Sequence, residues 1–335
     1  MTDVLFFSSP IGLGHATRDA AIAKQFQTSA KFVTGGEAAR FFAENGFEVE
    51  NAYNPPNFNI QKGTLQNPLK WLWKYYRYYM DCKAISSDII KKHNPKLVVS
   101  DEDFASLAIA QENNIPSILI TDVLETRFTK GVGRLIEKKM NRSMCDIIKK
   151  CNTVILPEKG KNQDNIKRVG PIVRETQSSR QQLRERFGFS KQTVLVAIGG
   201  TDAGKFLIDE ILKIIPRLEY DFVIVSGPSL KIKLDGVKNL GFVGNLHELI
   251  FASDVLVSLA GKSTIDEANA YGTPGIFIPI KGHFEQEDNA KDEGFSYKDL
   301  EKLENLIIEK LNQKREPVMT DGAKKACKII EEFLN

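Results

Sequence analysis

The chain has 335 residues, of which 42% are hydrophobic and 27% charged, a composition that indicates a globular protein long enough for two α/β domains. Its formal net charge of +3 is too small to argue for a nucleic-acid-binding protein. The four cysteines include no C-x-x-C pair and no histidine at ligand spacing, which predicts reduced thiols in a cytoplasmic protein and no zinc site.

The first half of the chain alternates short apolar runs with helical segments. Val4–Ser8 predicts the first strand, and residues 9–18, a turn with two glycines, lead from it into a helix that ends near Gln27. Further strands are predicted at 30–33, 96–100, 116–121 and 153–156, and helices at 37–44, 104–113 and 132–150. This alternation predicts a doubly wound parallel sheet.

A polar, turn-rich stretch at 175–180 interrupts the pattern, so we predict an N-terminal domain over residues 1–172. The pattern restarts with a strand, a glycine-rich turn and a helix over 193–215, and further strands are predicted at 221–226, 238–242, 254–258 and 275–279. We place this second domain at 173–318, and we expect a C-terminal helix in 319–335 to pack back on the first domain. The predicted fold is α/β, with two Rossmann-like, doubly wound domains facing a cleft and ligands at the carboxyl ends of the strands.

The stretch 258–274 predicts an anion-binding site. A strand runs through a glycine turn into a helix that opens with Ser263 and Thr264, contains Asp266 and Glu267 in its first turn, and stops at Gly272. Backbone N–H groups and the helix dipole at such a terminus attract phosphate. A carboxylate one turn into the helix can accept hydrogen bonds from vicinal hydroxyl groups. We therefore predict a site for phosphate and ribose.

Three other motifs are incomplete, and a fourth is too short to be specific. Residues 12–17 contain only the first part of a dinucleotide fingerprint, and residues 199–205 and 261–264 each lack one requirement of a P-loop. Residues 101–103 form a D-x-D pattern that holds metals in some sugar-transfer enzymes, but this short pattern is common by chance. We predict neither a nicotinamide cofactor, nor triphosphate hydrolysis, nor a bound metal.

Five motifs occur in order along the chain, namely Gly12-Leu-Gly-His15, Gly199-Gly-Thr201, Gly241-Phe-Val-Gly244, Ala260-Gly-Lys-Ser-Thr-Ile-Asp-Glu267 and His283-Phe-Glu-Gln-Glu-Asp-Asn-Ala290. Over nearly its whole length the chain resembles a GT-B-fold, nucleotide-sugar-dependent glycosyltransferase of the MurG-like kind, with a family 28 type C-terminal half. The resemblance implies a metal-independent, inverting transfer of a sugar from a UDP-sugar to an acceptor hydroxyl, on a lipid or polyprenyl carrier.

The resemblance also implies roles for the donor-site residues. The turn and helix start near Gly261 would hold the diphosphate, Glu267 the ribose hydroxyls, and the backbone around Phe242 the base. The motif that begins at His283 would serve the transferred sugar. The expected donor-binding residues are Gly14, Gly199, Gly200, Thr201, Phe242, Val243, Ala260, Gly261, Lys262, Ser263, Thr264, Glu267, His283, Glu285, Gln286 and Asn289.

His15 is the expected general base. A histidine in a glycine turn at a helix N-terminus should have a lowered pKa, which favours the neutral imidazole that a base requires. It would deprotonate the acceptor hydroxyl as that oxygen attacks the anomeric carbon, and Asp101 or Asp103 would orient the ring. The helix terminus would assist departure of the diphosphate.

Two basic segments indicate a surface for the acceptor or for a membrane. Residues 70–79 contain six aromatic and three basic side chains, and residues 127–150 are rich in Lys and Arg. Such a pattern suits an anionic membrane interface, but a buried aromatic face with a solvated basic face explains it equally well. We expect Arg18, Trp71 and Trp73 to bind the acceptor. Without a signal peptide or a membrane span, the protein is expected in the cytoplasm or on the inner face of the membrane.

Two other functions fit parts of the sequence. A nucleotide-sugar hydrolase resembling PseG shares the Gly-x-Gly-His-x-x-Arg turn and the Gly-Gly-Thr-Asp stretch, and in it His15 would activate water while Arg18 holds the substrate. A non-catalytic nucleotide-sugar-binding or membrane-docking subunit is the third reading. The chain length and the motif at 283–290 favour the transferase, because a hydrolase needs no acceptor site.

Overall fold

The computed structural model of the protein describes residues 3–131, 133–200, 202–227 and 237–334. These residues fold into two compact units. The first unit comprises Met1–Asn57, Asn67–Val173 and Thr320–Asn335, and the second comprises Phe58–Gln66 and Arg174–Met319. The chain therefore passes between the units more than once.

The first 173 residues contain β1 (Val4–Ser8), α1 (Gly14–Ala23), β2 (Ala30–Thr34), α2 (Gly36–Glu44), β3 (Glu48–Asn51), β4 (Ile60–Gln61), β5 (Thr64–Leu65), α3 (Pro68–His93), β6 (Leu97–Asp101), α4 (Phe104–Glu112), β7 (Ser117–Ile120), α5 (Gly133–Lys150), β8 (Thr153–Leu156) and β9 (Ile166–Arg168). The remainder contains α6 (Arg180–Phe187), β10 (Thr193–Ala197), α7 (Lys205–Ile214), β11 (Asp221–Val225), β12 (Lys238–Asn239), α8 (Leu246–Ala252), β13 (Val255–Leu259), α9 (Lys262–Tyr271), β14 (Gly275–Ile278), α10 (Phe284–Asp292), α11 (Leu303–Leu311) and α12 (Gly322–Glu331).

The first unit is built around a parallel sheet with the strand order β3-β2-β1-β6-β7-β8-β9. All residues of the central strands β1 and β6 are buried, as expected for continuous apolar runs inside a doubly wound sheet. The order reverses between β1 and β6, and such a reversal opens a crevice at the carboxyl ends of the two strands. The sequence did not predict β3 and β9, because these partly exposed edge strands lack an apolar run.

The second unit is built around a parallel sheet with the order β12-β11-β10-β13-β14, and here the reversal lies between β10 and β13. Its core includes Leu195, Leu256 and Phe277. The strand predicted at 238–242 contains only Lys238–Asn239, because Gly241 adopts a left-handed φ of +62°. The predicted α/β class with two parallel sheets is confirmed.

The hairpin formed by β4 and β5 belongs to the second unit, although its residues lie between elements of the first. Its backbone pairs with the loop after β14, where Leu65 N–H donates to Lys281 O (2.9 Å) and Lys281 N–H donates to Gly63 O (2.8 Å). No local pattern predicts this hairpin, because its partner lies more than 200 positions away in the chain.

The C-terminal helix α12 belongs to the first unit and packs against α1. Gly322 permits this arrangement, since a Cβ at this position would lie 2.3 Å from the backbone oxygen of Pro171. None of the helices in the described ranges combines the length and the apolar content that crossing a bilayer requires.

Candidate functional site

The first candidate site lies at the strand reversal of the first unit. Ser8 at the end of β1 is the register partner of Asp101 at the end of β6, and His15 lies in the first turn of α1. This topology joins residues that are 86 positions apart, and His15 Nδ1 lies 2.8 Å from Asp101 Oδ1. Gly14 begins α1, where its carbonyl accepts a hydrogen bond from the Thr17 hydroxyl. The structure thus places the predicted base beside one of its two predicted partners.

Arg18, predicted to bind the acceptor, is instead buried one turn after His15. Its Nε donates to Asp101 Oδ2 (2.8 Å) and its Nη2 to Asp101 Oδ1 (2.6 Å), while Nη1 donates to Asp122. A bidentate contact of this kind fixes the orientation of a carboxylate. With a side chain only 3% exposed, Arg18 orients Asp101 and does not present a free guanidinium to a ligand.

The charges around Asp101 determine which groups are ionised. Burial alone would raise the pKa of Asp101, but Arg18 and His15 outweigh it and hold this pKa well below its usual range. Burial and the nearby Asp101 charge raise the pKa of Asp19 well above its usual range, and the Ser8 hydroxyl donates to Asp19. We infer that Asp101 is the ionised member and Asp19 the protonated one.

The pKa of His15 differs from the sequence prediction. Burial lowers it, but the charges of Asp101 and Glu102 and the hydrogen bond with Asp101 outweigh this effect and raise the pKa to about 9. The expectation of a lowered pKa was wrong because a helix terminus contributes only about 0.3–1 kcal/mol, less than two nearby carboxylates. At neutral pH the ligand-free imidazole is therefore mostly protonated.

Asp103 does not contact His15. It caps the N-terminus of α4, where its carboxylate accepts hydrogen bonds from Ser106 N–H (3.2 Å) and from the Tyr53 hydroxyl (3.0 Å). Its role is to hold α4 in place. Glu102 and Asp122 were not expected from the sequence. Glu102 lies two residues after the predicted strand 96–100 and Asp122 directly follows the strand 116–121, and this position was the available signal.

The second candidate site lies at the strand reversal of the second unit, where β13 leads into α9. Gly261 is the N-cap of α9, and a Cβ on it would have no heavy atom within 4 Å. The Cβ position of the N-cap residue therefore faces open space. Asn289 Nδ2 donates to Ala260 O (3.2 Å), which holds the start of α9 from the side. Gly199, after β10, adopts φ of +83°.

Glu267 is buried and paired with a residue that the sequence analysis did not select. Arg174 Nε donates to Glu267 Oε1 (2.7 Å) and Nη2 to Oε2 (3.1 Å), and both side chains are at most 5% exposed. Arg174 Nη1 also donates to Gly244 O (2.7 Å). Arg174 thus joins the carboxylate predicted for the ribose to the loop with Phe242 and Val243, which was predicted for the base.

The remaining donor-site residues have local partners. Lys262 forms an ion pair with Asp266 one turn along α9, and Thr264 N–H donates to Gly261 O. Ser263 lies in the same first turn. Gly200 follows Gly199 in the turn after β10, and the predicted Thr201 lies outside the described residues.

The sugar-recognition residues predicted around 283–289 lie at the start of α10. His283 is the N-cap of α10, and its ring lies 5.2 Å from that of Phe58. Burial lowers the pKa of His283 to about 4, so the ring is neutral at physiological pH. Glu285 lies in the first turn, and Gln286 Oε1 accepts a hydrogen bond from Ile280 N–H (3.1 Å). Gln286 and Asn289 therefore hold loops of this site.

The two tryptophans of α3 have different environments. Trp71 is buried, packs against Tyr75 and Phe128, and donates from Nε1 to Pro56 O (3.2 Å). Trp73 is 59% exposed, and the Arg77 guanidinium lies 4.4 Å from its ring centre. Leu69, Trp73, Tyr76 and Met80 form an exposed apolar stripe at helical spacing, which we call the α3 stripe.

Residues 193–332 match the glycosyltransferase family 28 C-terminal domain. The chain is 28% identical over 232 residues to an uncharacterized glycosyltransferase of Methanopyrus kandleri, a match that covers 64% of this chain and 65% of that protein. A second uncharacterized glycosyltransferase, from Methanosarcina acetivorans, is 26% identical over 326 residues, which cover 87% of this chain and 84% of the relative.

The chain is also 30% identical over 229 residues to the UDP-N-acetylglucosamine--N-acetylmuramyl-(pentapeptide) pyrophosphoryl-undecaprenol N-acetylglucosamine transferase of Geobacillus thermodenitrificans, covering 64% of this chain and 58% of that protein. The matched domain and these relatives identify the chain as a glycosyltransferase whose C-terminal half is of the family 28 type. The region that matches the family 28 C-terminal domain begins at β10 and includes α9 and α10. The second candidate site therefore lies in the matched region.

Solved structures show the same fold for this glycosyltransferase. The glycotransferase of kitacinnamycin superposes with a TM-score of 0.68 at 12% identity, covering 100% of this chain and 99% of that one. MurG of Acinetobacter baumannii superposes with a TM-score of 0.55 at 14% identity, covering 99% and 100%. At such low identity the likeness defines the fold, which is GT-B.

Proposed function

We propose that this glycosyltransferase moves a sugar from a UDP-sugar to an acceptor hydroxyl with inversion and without a metal, and that His15 is the general base. The pairing of His15 Nδ1 with Asp101 is the main observation in support. It leaves Nε2 available for the acceptor, on a side chain that is 17% exposed. Asp101, fixed by Arg18, stabilises the imidazolium that forms during the reaction.

In the proposed step, the acceptor hydroxyl gives its proton to His15 Nε2 and its oxygen forms a bond to the anomeric carbon. The bond between that carbon and the diphosphate oxygen breaks, and the electron pair leaves with UDP. Backbone N–H groups at the start of α9 stabilise the negative charge that develops on the diphosphate. The open space at Gly261 is the feature of the second unit that supports this role.

The uridine assignment rests on a relative and on the Glu267 site. The name of the Geobacillus relative specifies UDP-N-acetylglucosamine as its donor. Arg174 occupies one position on each Glu267 oxygen, and a carboxylate has about four such positions, so two remain for ribose hydroxyls. Because Arg174 also binds Gly244 O, the loop proposed to recognise the base is connected to the same carboxylate.

The deciding experiment is incubation of the protein with labelled UDP-sugars and total membrane lipid. Recovery of the label in the lipid fraction supports transfer. Free sugar that accumulates equally without an acceptor indicates the hydrolase, since the same base activates water. Binding of UDP-sugar with neither product indicates a non-catalytic subunit.

Gly261→Ala tests the diphosphate site directly. Because Gly261 has φ of −81° and open space around its Cβ position, alanine should leave the midpoint of thermal unfolding unchanged. The added methyl occupies space that the diphosphate needs, so we expect UDP affinity to fall by about tenfold, or ~1.4 kcal/mol. Calorimetric titration with UDP measures the loss. Wild-type affinity in this variant would place the diphosphate elsewhere.

We further propose that the α3 stripe docks on an anionic membrane. Leu69 of the stripe lies next to the start of α5, where Leu135 and Ile136 are 70% and 58% exposed, and α5 supplies many basic residues. Exposed apolar side chains beside Lys and Arg are typical of interfacial helices.

Vesicle flotation tests this docking. A variant with Trp73→Ala, Leu135→Ala and Ile136→Ala should bind phosphatidylserine-containing vesicles at least tenfold more weakly than the wild type, since apolar contacts are lost. Met319→Ala is the matched control, because Met319 is 90% exposed but lies in the second unit. If binding depends neither on anionic lipid nor on the three substituted residues, the α3 stripe does not dock on a membrane.

A further inference from the structure

Glu102 has a backbone conformation that is rare for a residue with a side chain. It directly follows Asp101 and adopts φ of +56°, in the left-handed region. Such a conformation costs on the order of 1 kcal/mol and persists only when the surroundings enforce it. Here Glu102 N–H donates to Ile120 O (3.2 Å), and Glu102 Oε1 accepts hydrogen bonds from Thr121 Oγ1 (2.9 Å) and Asp122 N–H (3.1 Å). One carboxylate oxygen is thus anchored, which fixes the direction of the other.

The second oxygen of Glu102 faces the reactive atom of His15. Glu102 Oε2 lies 3.8 Å from His15 Nε2, too far for a hydrogen bond between them. Both side chains reach the surface, at 19% and 17% exposure, whereas Asp101 and Arg18 are at most 3% exposed. A ligand that approaches His15 Nε2 therefore also meets the carboxylate of Glu102.

The chemistry of the two atoms restricts what binds between them. When His15 is neutral and its Nδ1 proton points to Asp101, Nε2 is a hydrogen-bond acceptor. Burial raises the pKa of Glu102, and once this carboxyl is ionised its second oxygen is also an acceptor. A single hydroxyl group has one proton and satisfies only one of them, so a second donor on the same ligand is needed for the other.

We propose that Glu102 binds the acceptor together with His15, and that the acceptor presents a vicinal diol at this site. This inference rests on the proposed role of His15 as the base. One hydroxyl donates its proton to His15 Nε2 as its oxygen bonds to the anomeric carbon and the diphosphate leaves with the electron pair. The neighbouring hydroxyl keeps its proton and donates a hydrogen bond to Glu102, which orients the attacking oxygen.

The charges that face His15 set its pKa, and this pKa can be used to test the proposal. Asp101 and Glu102 raise the pKa of His15, while Arg18 lowers it. Asp122 pairs with Arg18, and Asp19 is hydrogen-bonded to Asp101. Removal of the Glu102 charge should therefore lower the pKa of His15. Glu102→Gln keeps the anchoring oxygen and Glu102→Ala removes the whole group. Glu125→Gln is the control, since Glu125 is exposed on the same unit.

The test uses the histidine Cε1–H resonances of the full-length, ligand-free protein, in which four histidines are distinguished by variants. We expect Glu102→Gln to lower the pKa of His15 from about 9 and Glu125→Gln to leave it unchanged. In the wild type, at a pH above that pKa so that the imidazole is neutral, 1,2-hexanediol should shift the His15 resonance at about tenfold lower concentration than 1-hexanol, as one hydrogen bond to a charged group predicts. Glu102→Ala should lose this preference.

Two results would overturn the proposal, namely equal responses of the wild type to the two alcohols, and an unchanged preference in Glu102→Ala. Neither measurement depends on turnover. If the protein transfers no sugar but prefers the diol, the proposed function is refuted and the diol site is still supported. Transfer to acceptors by a protein that does not distinguish the alcohols refutes only the diol site.

Discussion

Replacing His15 with alanine is expected to lower kcat/KM for sugar transfer by about 10²–10⁴-fold, the usual contribution of a general base. UDP affinity should stay at the wild-type level, because all the expected donor-binding residues except Gly14 belong to the second unit. The measurement is initial rates with a labelled UDP-sugar, beside calorimetric titration with UDP. Full turnover of the variant would show that another group accepts the proton.

The pH profile provides an independent test of the same base. The base acts in its neutral form, so kcat/KM should rise with pH and level off near the His15 pKa of about 9. Asp101→Asn removes a negative charge 2.8 Å from Nδ1 and should therefore move the rising limb to lower pH, with a lower plateau. A limb that does not move in this variant would mean that the profile reports another group.

Arg174→Ala is expected to destabilise the second unit by about 3–5 kcal/mol and to abolish measurable UDP binding. The substitution leaves the Glu267 carboxylate buried without its partner, and an unpaired buried charge is costly. Chemical unfolding measures the first effect and calorimetric titration with UDP the second. A loss of stability below about 0.5 kcal/mol would show that Glu267 finds water or another partner.

Two further variants separate stability from binding at this pair. The double variant Arg174→Met with Glu267→Leu removes both charges and should recover most of the stability, yet it should still not bind UDP, because no carboxylate remains for the ribose. Lys205→Ala is the matched control in the same unit. It breaks an exposed pair with Asp209 on α7 and should change the free energy of unfolding by about 0.5 kcal/mol or less.

Much of the two sites could be predicted from local patterns. The β1–turn–α1 and β13–turn–α9 segments were recognisable, because an apolar run, a glycine turn and a polar helix start lie within about 20 consecutive residues. Such patterns directed attention to His15 and Glu267. They did not distinguish Asp101 from Asp103, since alternate residues after a strand have the same local signal.

Long-range pairing decided the rest. Asp101 contacts His15 because the register of β1 and β6 places Ser8 beside Asp101, whereas Asp103 turns away to cap α4. Arg18 was assigned to the acceptor because a sequence does not reveal which carboxylates will surround a guanidinium. The raised pKa of His15 was missed for the same reason, since it depends on the charges of Asp101 and Glu102.

The local sequence thus determines two parallel sheets with flanking helices. It also determines a histidine at the carboxyl ends of the strands of one sheet and a helix start preceded by glycine at those of the other. These features are local because strand periodicity, turn residues and helix caps act over a few residues. Tertiary structure alone decides the ionisation of His15, the burial of Arg18, the Arg174–Glu267 pair and the direction of Glu102. These depend on distances between residues that are far apart in sequence, and electrostatic energies change steeply with such distances and with burial.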